Sequence, residues 1–392
     1  MCYVSESARE DIVAIWNYIV DAGGMDMDKK YSELGRKLLI NAYEENEGEN
    51  IVCSPFSFYM LLGIALNAVR GKCQEEIKDV LTDDAEATAV TEYICKLEKN
   101  IAQEYDGGKL VSSNGICIKK DLHEGILKEF RELMQEAFDA EIFAAGSDIV
   151  EKVNAWVNDK TNGMIPKLLD QAPADLRAVL MNAISFEAKW ETIYEEDDVE
   201  EESEFTNYDG SISEVTMLHS DEEDYIEDDF YTGFVKNYKG GKYAFMALLP
   251  KKKKAKTFWK RAIEQTDFKV YYDRRSYAKV VARIPEFEIA TDMELTGFCQ
   301  SIGIKSIFNP DADFSGMTVQ EPLMVSSVLQ KAAIKVDRAG TKAAAVSAMY
   351  VVAGCAPDFD NIKYVDLDRP FVYAVVDRES GLPVFSGVVN KL

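Results

Sequence analysis

The sequence predicts an α+β protein, with helices concentrated in the first half and strands in the second. Three observations carry that expectation. Up to about residue 160 most apolar residues recur at helical spacing, as in Leu34, Leu38, Leu39 and Ala42. From Gly241 onward apolar runs of strand length follow one another: GKYAFMALLP, AKVVARIPEFEI, VSSVLQKAAIKVD, RPFVYAVVD and LPVFSGVV. The hydrophobic fraction is 47%, which is enough for a large core rather than a disordered chain, and no internal repeat divides it.

The elements follow in order. Ser7 and Glu10 have capping-box spacing ahead of Ile12, Val13, Ile15, Trp16 and Ile19, which predicts a short amphipathic helix ending at Gly23-Gly24. A second helix is expected over Lys29–Tyr43, and a third after Ser54-Pro55, through FSFYMLLGIALNAVRG to Gly71. Glu75–Asn100 has helical composition, Leu110–Ile118 alternates like a strand, and helices return over Glu124–Phe138 and Ile149–Lys160. Ala178–Trp190, AVLMNAISFEAKW, is apolar enough for a strand covered on both faces. Glu195–Phe230 is crowded with Asp and Glu, the composition of solvated loops or edge strands. One helix, near Met293–Ile302, interrupts the strands that follow.

Charge and composition exclude several functions. Lys+Arg is 44 and Asp+Glu is 69, a net charge of −25 that repels phosphate backbones and argues against nucleic acid. No apolar run reaches the length of a membrane span. The seven cysteines stand singly, without C-x-x-C, and read as buried thiols in a reducing compartment or a bacterial chain. The acidic N-terminus is not a signal peptide; the location is extracellular or cell-surface if such a peptide is missing from this chain, otherwise cytoplasmic. The two histidines, His123 and His219, sit among polar neighbours, and neither stands beside an evident nucleophile. No ligand spacing suits zinc, no glycine-rich phosphate loop occurs, and no cofactor is expected. Asp197-Asp198, Asp228-Asp229 and the basic PKKKKAK run read as solvated surface. The chain is expected not to be an enzyme.

One stretch resists these assignments. GTKAAAVSAMYVVAGCAP, Gly340–Pro357, is too small-sided for a core and too apolar for an ordinary loop. With a period of two, Thr341, Ala343, Ala345 and Ser347 share one face, small and uncharged, while Lys342 lies on the other with Ala344. That pattern suits a strand able to slide into a tight site with one face buried. A short alanine-rich helix or a flexible loop is the plainer alternative.

AGTKAAAVSA, followed by a variable stretch and DRPFVYAVVDRESGLPVFSGVVN, resembles the hinge, reactive loop and closing strands of the serpins. NIVCSPFSFYMLLGIALNAVRG, NAWVNDKTNGMIPKLL, MNAISFEAKW, IPEFEI and LTGFCQSIGIKSIFNPDADFSGM match in the family's order over about Lys29–Leu392. The resemblance implies helices packed on three β-sheets, a single domain over 25–392 with an exposed reactive-centre loop at about 338–360, and a short N-terminal extension over 1–24. It also implies a mechanism. A serine protease cleaves the loop, is held as a covalent 1:1 acyl complex, and is disabled as the loop inserts into the main sheet of a metastable monomer. Family spacing from the hinge, Gly340, Thr341, Ala343, Ala344, Ala345 and Ser347, puts the bait bond at Gly354–Cys355, with Val352 and Ala353 as neighbours. All four are small, which implies elastase-like or subtilisin-like targets. Cys355 leaves open a redox-sensitive position or a cysteine-protease target.

Departures from the family pattern bear on this reading. Arg338, Ala339 and Lys342 stand where acids are usual, which puts the rate of insertion in question and keeps a non-inhibitory binding or chaperone module as the alternative. Gln330 replaces the usual histidine below the sheet opening, where it is expected to tie Ser54, Ser57 and Asn182 together. Lys189 and Trp190 match the top of the sheet, although simple core packing explains Trp190 equally well.

Overall fold

The computed structural model describes residues 6–102, 104–161, 163, 165–171, 178–251, 256–319, 323–341 and 362–392. Its helices are α1 (Glu6–Glu45), α2 (Pro55–Ala68), α3 (Gly71–Leu81), α4 (Ala87–Ile101), α5 (Lys120–His123), α6 (Lys128–Phe138), α7 (Ile149–Lys160), α8 (Lys256–Glu264), α9 (Phe268–Arg274) and α10 (Thr296–Ser301). The first differs from expectation: no helix ends at Gly23-Gly24, and α1 runs unbroken through both glycines for 40 residues. Glycine costs a helix about 1 kcal/mol against alanine but leaves the hydrogen-bond ladder intact, so packing of the later turns can override it. Those turns are held, because Tyr31, Leu34, Leu38, Leu39 and Ala42 lie in the core and the Tyr31 hydroxyl donates to the Pro383 carbonyl at 2.7 Å. The stretch expected as one helix over Glu75–Asn100 is divided into α3 and α4, where Thr82 Oγ1 accepts from Ala85 N and closes a turn. Helix α2 starts as its sequence requires: Ser54 caps it by accepting from Ser57 N, and Pro55 opens the first turn. No helix among the described residues is long and apolar enough to cross a membrane.

The strands are β1 (Ile51–Cys53), β2 (Glu104–Tyr105), β3 (Gly108–Lys119), β4 (Ala140–Ala145), β5 (Ala178–Lys189), β6 (Val199–Thr206), β7 (Ile212–Glu227), β8 (Tyr231–Asn237), β9 (Tyr243–Pro250), β10 (Ser276–Pro285), β11 (Phe287–Glu294), β12 (Leu329–Asp337), β13 (Gly340–Thr341), β14 (Ile362–Asp366), β15 (Phe371–Asp377) and β16 (Pro383–Val389). One sheet has the order β11-β12-β13-β5-β3-β2, with β4 also on β3. The other strands form the path β1-β16-β15-β9-β8-β7-β10-β14, with β6 on β7. The third expected sheet is continuous with the second through β7, whose last residues pair β8 while its earlier ones pair β6 and β10. The acidic stretch 195–230 is therefore not all loop and edge. Strand β6 hangs on the rim, but β7 is interior, because Glu214, Asp221, Glu223 and Glu227 take the solvent side while Met217, Leu218 and Ile226 are buried and Glu222 turns inward onto Lys236.

Two cores result. The larger lies between the sheets and under α1 and α2, and includes fully buried strands β9, β15 and β16. The smaller lies on the other face of β3 and β5, where α7 packs Ile149, Val153, Trp156 and Val157 against Cys117, Val179, Met181 and Ala183. Packing in the larger core leaves no room at Gly387, where a Cβ would collide with the Ile51 carbonyl and the Tyr373 hydroxyl. Gly387→Ala is expected to lower stability by about 1–3 kcal/mol, the usual cost of overpacking, read as a fall in the urea midpoint.

Candidate functional site

The site grows from the order of the seven-stranded sheet. Strand β13 is antiparallel to β12, with Val336 opposite Thr341, and antiparallel to β5, with Ala188 opposite Thr341. The neighbours β5 and β12 are therefore parallel, and β13 is two residues of a strand lodged at the end of the seam between them. A two-residue turn, Arg338-Ala339, joins β12 to β13. Asp337 builds that turn, since its Oδ1 accepts from Ala339 N at 2.9 Å and from Gly340 N at 3.2 Å. Gly340 has φ +148°, and a Cβ there would collide with the Ala188 carbonyl, so the position requires glycine.

Two side chains, Trp190 and Tyr238, bond to this hairpin, and Lys236 and Tyr194 pack behind them. Trp190 donates its indole N–H to the Asp337 carbonyl at 2.9 Å and its backbone N–H to the Ala339 carbonyl. It is buried and stacks on Tyr238, with centroids 4.5 Å apart, so at this position core packing and support of the turn are one role. The Tyr238 hydroxyl and Thr341 Oγ1 are 2.8 Å apart. Burial holds the Tyr238 hydroxyl far above the ordinary phenol range, with Thr341 opposing weakly, so it stays neutral. Lys236, with a side chain only 3% exposed, pairs with Glu222 at 2.8 Å and lies over the rings of Tyr194 and Trp190. Tyr194 in turn donates its backbone N–H to the Arg338 carbonyl. The charge of Arg338 turns outward, where Glu286 lies 3.6 Å away and also accepts from its backbone N–H.

Further along the seam, the cluster expected around Gln330 is divided. Gln330 binds Ser54 from both ends of its amide: Oε1 accepts from Ser54 N and Nε2 donates to the Ser54 carbonyl, each at 2.9 Å. Ser54 Oγ donates to the Val384 carbonyl and caps Ser57. Asn182 is not in that group. Its Nδ2 donates to Ser112 Oγ and Asn114 Oδ1, across β3, and its Oδ1 is buried without a partner. Both ends of the Gln330 amide go to the start of α2, and Asn182 bonds across its own strand neighbour.

The remaining sequence candidates take structural places. His123 lies 3.3 Å from Arg131, and His219 pairs with Glu200 at 2.8 Å on the surface. Asp198 caps Glu195, and Asp228 holds Phe230 N, Tyr231 N and the Tyr271 hydroxyl. Burial pushes the Cys53 and Cys299 thiols up to about 12 and Cys117 to about 11, as in inert core thiols. Among the described residues no group of His, Cys, Asp and Glu could hold a metal. Lys342, Ala343, Ala344, Ala345, Ser347, Val352, Ala353, Gly354 and Cys355 lie outside the described residues, as does most of PKKKKAK. Sequence reasoning missed Asp337, Tyr238, Tyr194 and Glu286; only the Asp-x-x-Gly turn signal could have found one of them.

In this sheet two parallel strands, β12 and β5, hold the two-residue antiparallel strand β13 between them. The chain belongs to the serpin family: the family model Serpin (serine protease inhibitor) matches residues 29–392. Iripin-3 of Ixodes ricinus is 28% identical over 97% of this chain and 99% of its own. The native state of Tengpin, a thermophilic serpin, superposes with a TM-score of 0.83 at 30% identity, covering 94% of this chain and 95% of that one. A thyroxine-binding globulin complex with thyroxine shares the fold alone, with a TM-score of 0.80 at 21% identity over 93% of this chain and 98% of that one.

Proposed function

We propose that the chain is a suicide inhibitor of serine proteases with a small primary pocket. The family supports inhibition in general. Because the fold also occurs in a globulin that carries thyroxine, the fold alone does not decide. The observation that carries the reading is the register of β13. Thr341 stands between Val336 and Ala188. Continued two residues at a time, the same register would set Ala343 between Ile334 and Phe186, Ala345 between Ala332 and Ile184, and Ser347 between Gln330 and Asn182. The partners on β12 and the apolar ones on β5 are buried, so only small, neutral side chains suit that face, and those are the ones the hinge supplies.

In this reading the protease serine forms an ester with the carbonyl of Gly354. The peptide bond to Cys355 breaks and the amine leaves as a new N-terminus. The freed strand then extends β13 down the seam before water reaches the ester. Roughly ten new ladder hydrogen bonds, at about 0.5–1.5 kcal/mol each, would supply on the order of 10 kcal/mol to distort the protease.

The test is to mix the protein with elastase, run denaturing gels and weigh the released C-terminal peptide. A denaturant-resistant band at the summed mass, with a peptide beginning at Cys355 or within two residues of it, is the expected result. Clean cleavage with the protease still active, and no gain in melting temperature of the cut protein, would favour the binding module instead.

A further inference from the structure

Asn114 and Asn182 stand opposite each other on β3 and β5, and the bonds they make lead from the seam into the helical layer. Asn182 Nδ2 donates to Asn114 Oδ1 at 2.8 Å. Asn114 Nδ2 donates to the Phe138 carbonyl at 2.8 Å and to Glu98 Oε1, on α4, at 2.9 Å. Glu98 is 9% exposed, and among the described residues no lysine or arginine forms an ion pair with it. Two charges act on it: Asp139, at the left-handed end of α6, repels a carboxylate, and Lys99 on its own helix attracts one. Cys95 lies one turn back. Helix α2, packed on α4, carries no charged residue, and Tyr59 is its only titratable one. The acids of α1 act at the other end, where Asp26 meets Thr82 and Asp83, and Asp28 meets Tyr93.

We propose that Glu98 is a proton-operated latch: its neutral carboxyl keeps α4, Asn114 and Asn182 joined as the wall of the seam, and loss of its proton loosens that wall. A neutral carboxyl accepts the Asn114 hydrogen bond without needing a counter-charge, whereas a buried carboxylate has one amide donor and a repelling Asp139. Burial is the largest influence and pushes the carboxyl up to about 7, with Asn114 opposing and Asp139 adding. The native state thus keeps a proton that the unfolded chain releases near 4.5. The stabilisation is full below that pH and is lost as pH rises towards 7. The latch is a property of the folded chain, whether or not the chain traps a protease.

The test compares the wild-type protein with Glu98→Gln, which keeps the acceptor and removes the titration, and with Glu98→Leu, which removes both. Unfolding constants from urea titrations are measured from pH 5 to 8.5. Relative to either variant, the wild-type constant is expected to rise by up to about tenfold per pH unit below 7 and then level off. Protection of the β5 amides against hydrogen exchange, corrected for intrinsic rates, is expected to fall over the same range in the wild type only. Parallel pH profiles in all proteins that fold would overturn the titration. A wild-type stability change that leaves β5 protection untouched would overturn the latch.

Discussion

Loss of trapping with cleavage retained is the expected result of Thr341→Arg. Thr341 is 1% exposed, between Val336 and Ala188, with its hydroxyl on Tyr238. An arginine in that seat would leave a charge among apolar neighbours without a partner, and an unpaired buried charge costs several kcal/mol. The hairpin end would swing out rather than bury it, and the incoming strand would lose its first rung. Incubated with elastase, the variant is expected to be cut in the loop and to leave the protease active, with the covalent band at least tenfold weaker than in the wild type. Thr341→Ser, which keeps the hydroxyl, should trap normally. A covalent band of wild-type strength from Thr341→Arg would show that β13 is not where insertion starts.

Glu222→Ala is expected to cost about 3–5 kcal/mol of native stability, the usual price of removing one partner of a buried ion pair. It strands Lys236, whose side chain is 3% exposed and which packs on Tyr194 and Trp190, two of the groups that hold the hairpin. The loss should appear as a lower urea midpoint. Replacing both partners together, Lys236→Met with Glu222→Leu, should recover most of it, because no unpaired charge then remains. A Glu222→Ala variant within about 0.5 kcal/mol of the wild type would mean that water reaches Lys236 freely.

Much of this architecture was legible in the sequence where one element decides its own form. Ser54-Pro55 announces the start of α2, the apolar run Ala178–Trp190 gives β5, and Thr341, the first residue of the small face, takes a buried seat. What escaped depends on distant partners. Gly23-Gly24 looks like a stop until Tyr31 and Leu38 are seen locked into the core. Asn182 was grouped with Ser54, Ser57 and Gln330 by position in the family, but its hydrogen bonds follow geometry across β3. Arg338 stands where the family usually has an acid, and it sits in a turn beside Glu286, a pairing across 52 positions that no local pattern encodes.

The seating of β13 also bears on kinetics. Strand association is slow chiefly because two segments must first find each other, at the entropic cost of closing a loop. In this chain the turn Arg338-Ala339 has already closed the loop, and Thr341 is already in register with strands on both sides. Any lengthening of β13 therefore begins after nucleation, as propagation with a rung on each flank. Its speed is set by how readily β5 and β12 part rather than by the search of a tethered segment, so lengthening the loop beyond the hinge should matter far less than loosening the seam.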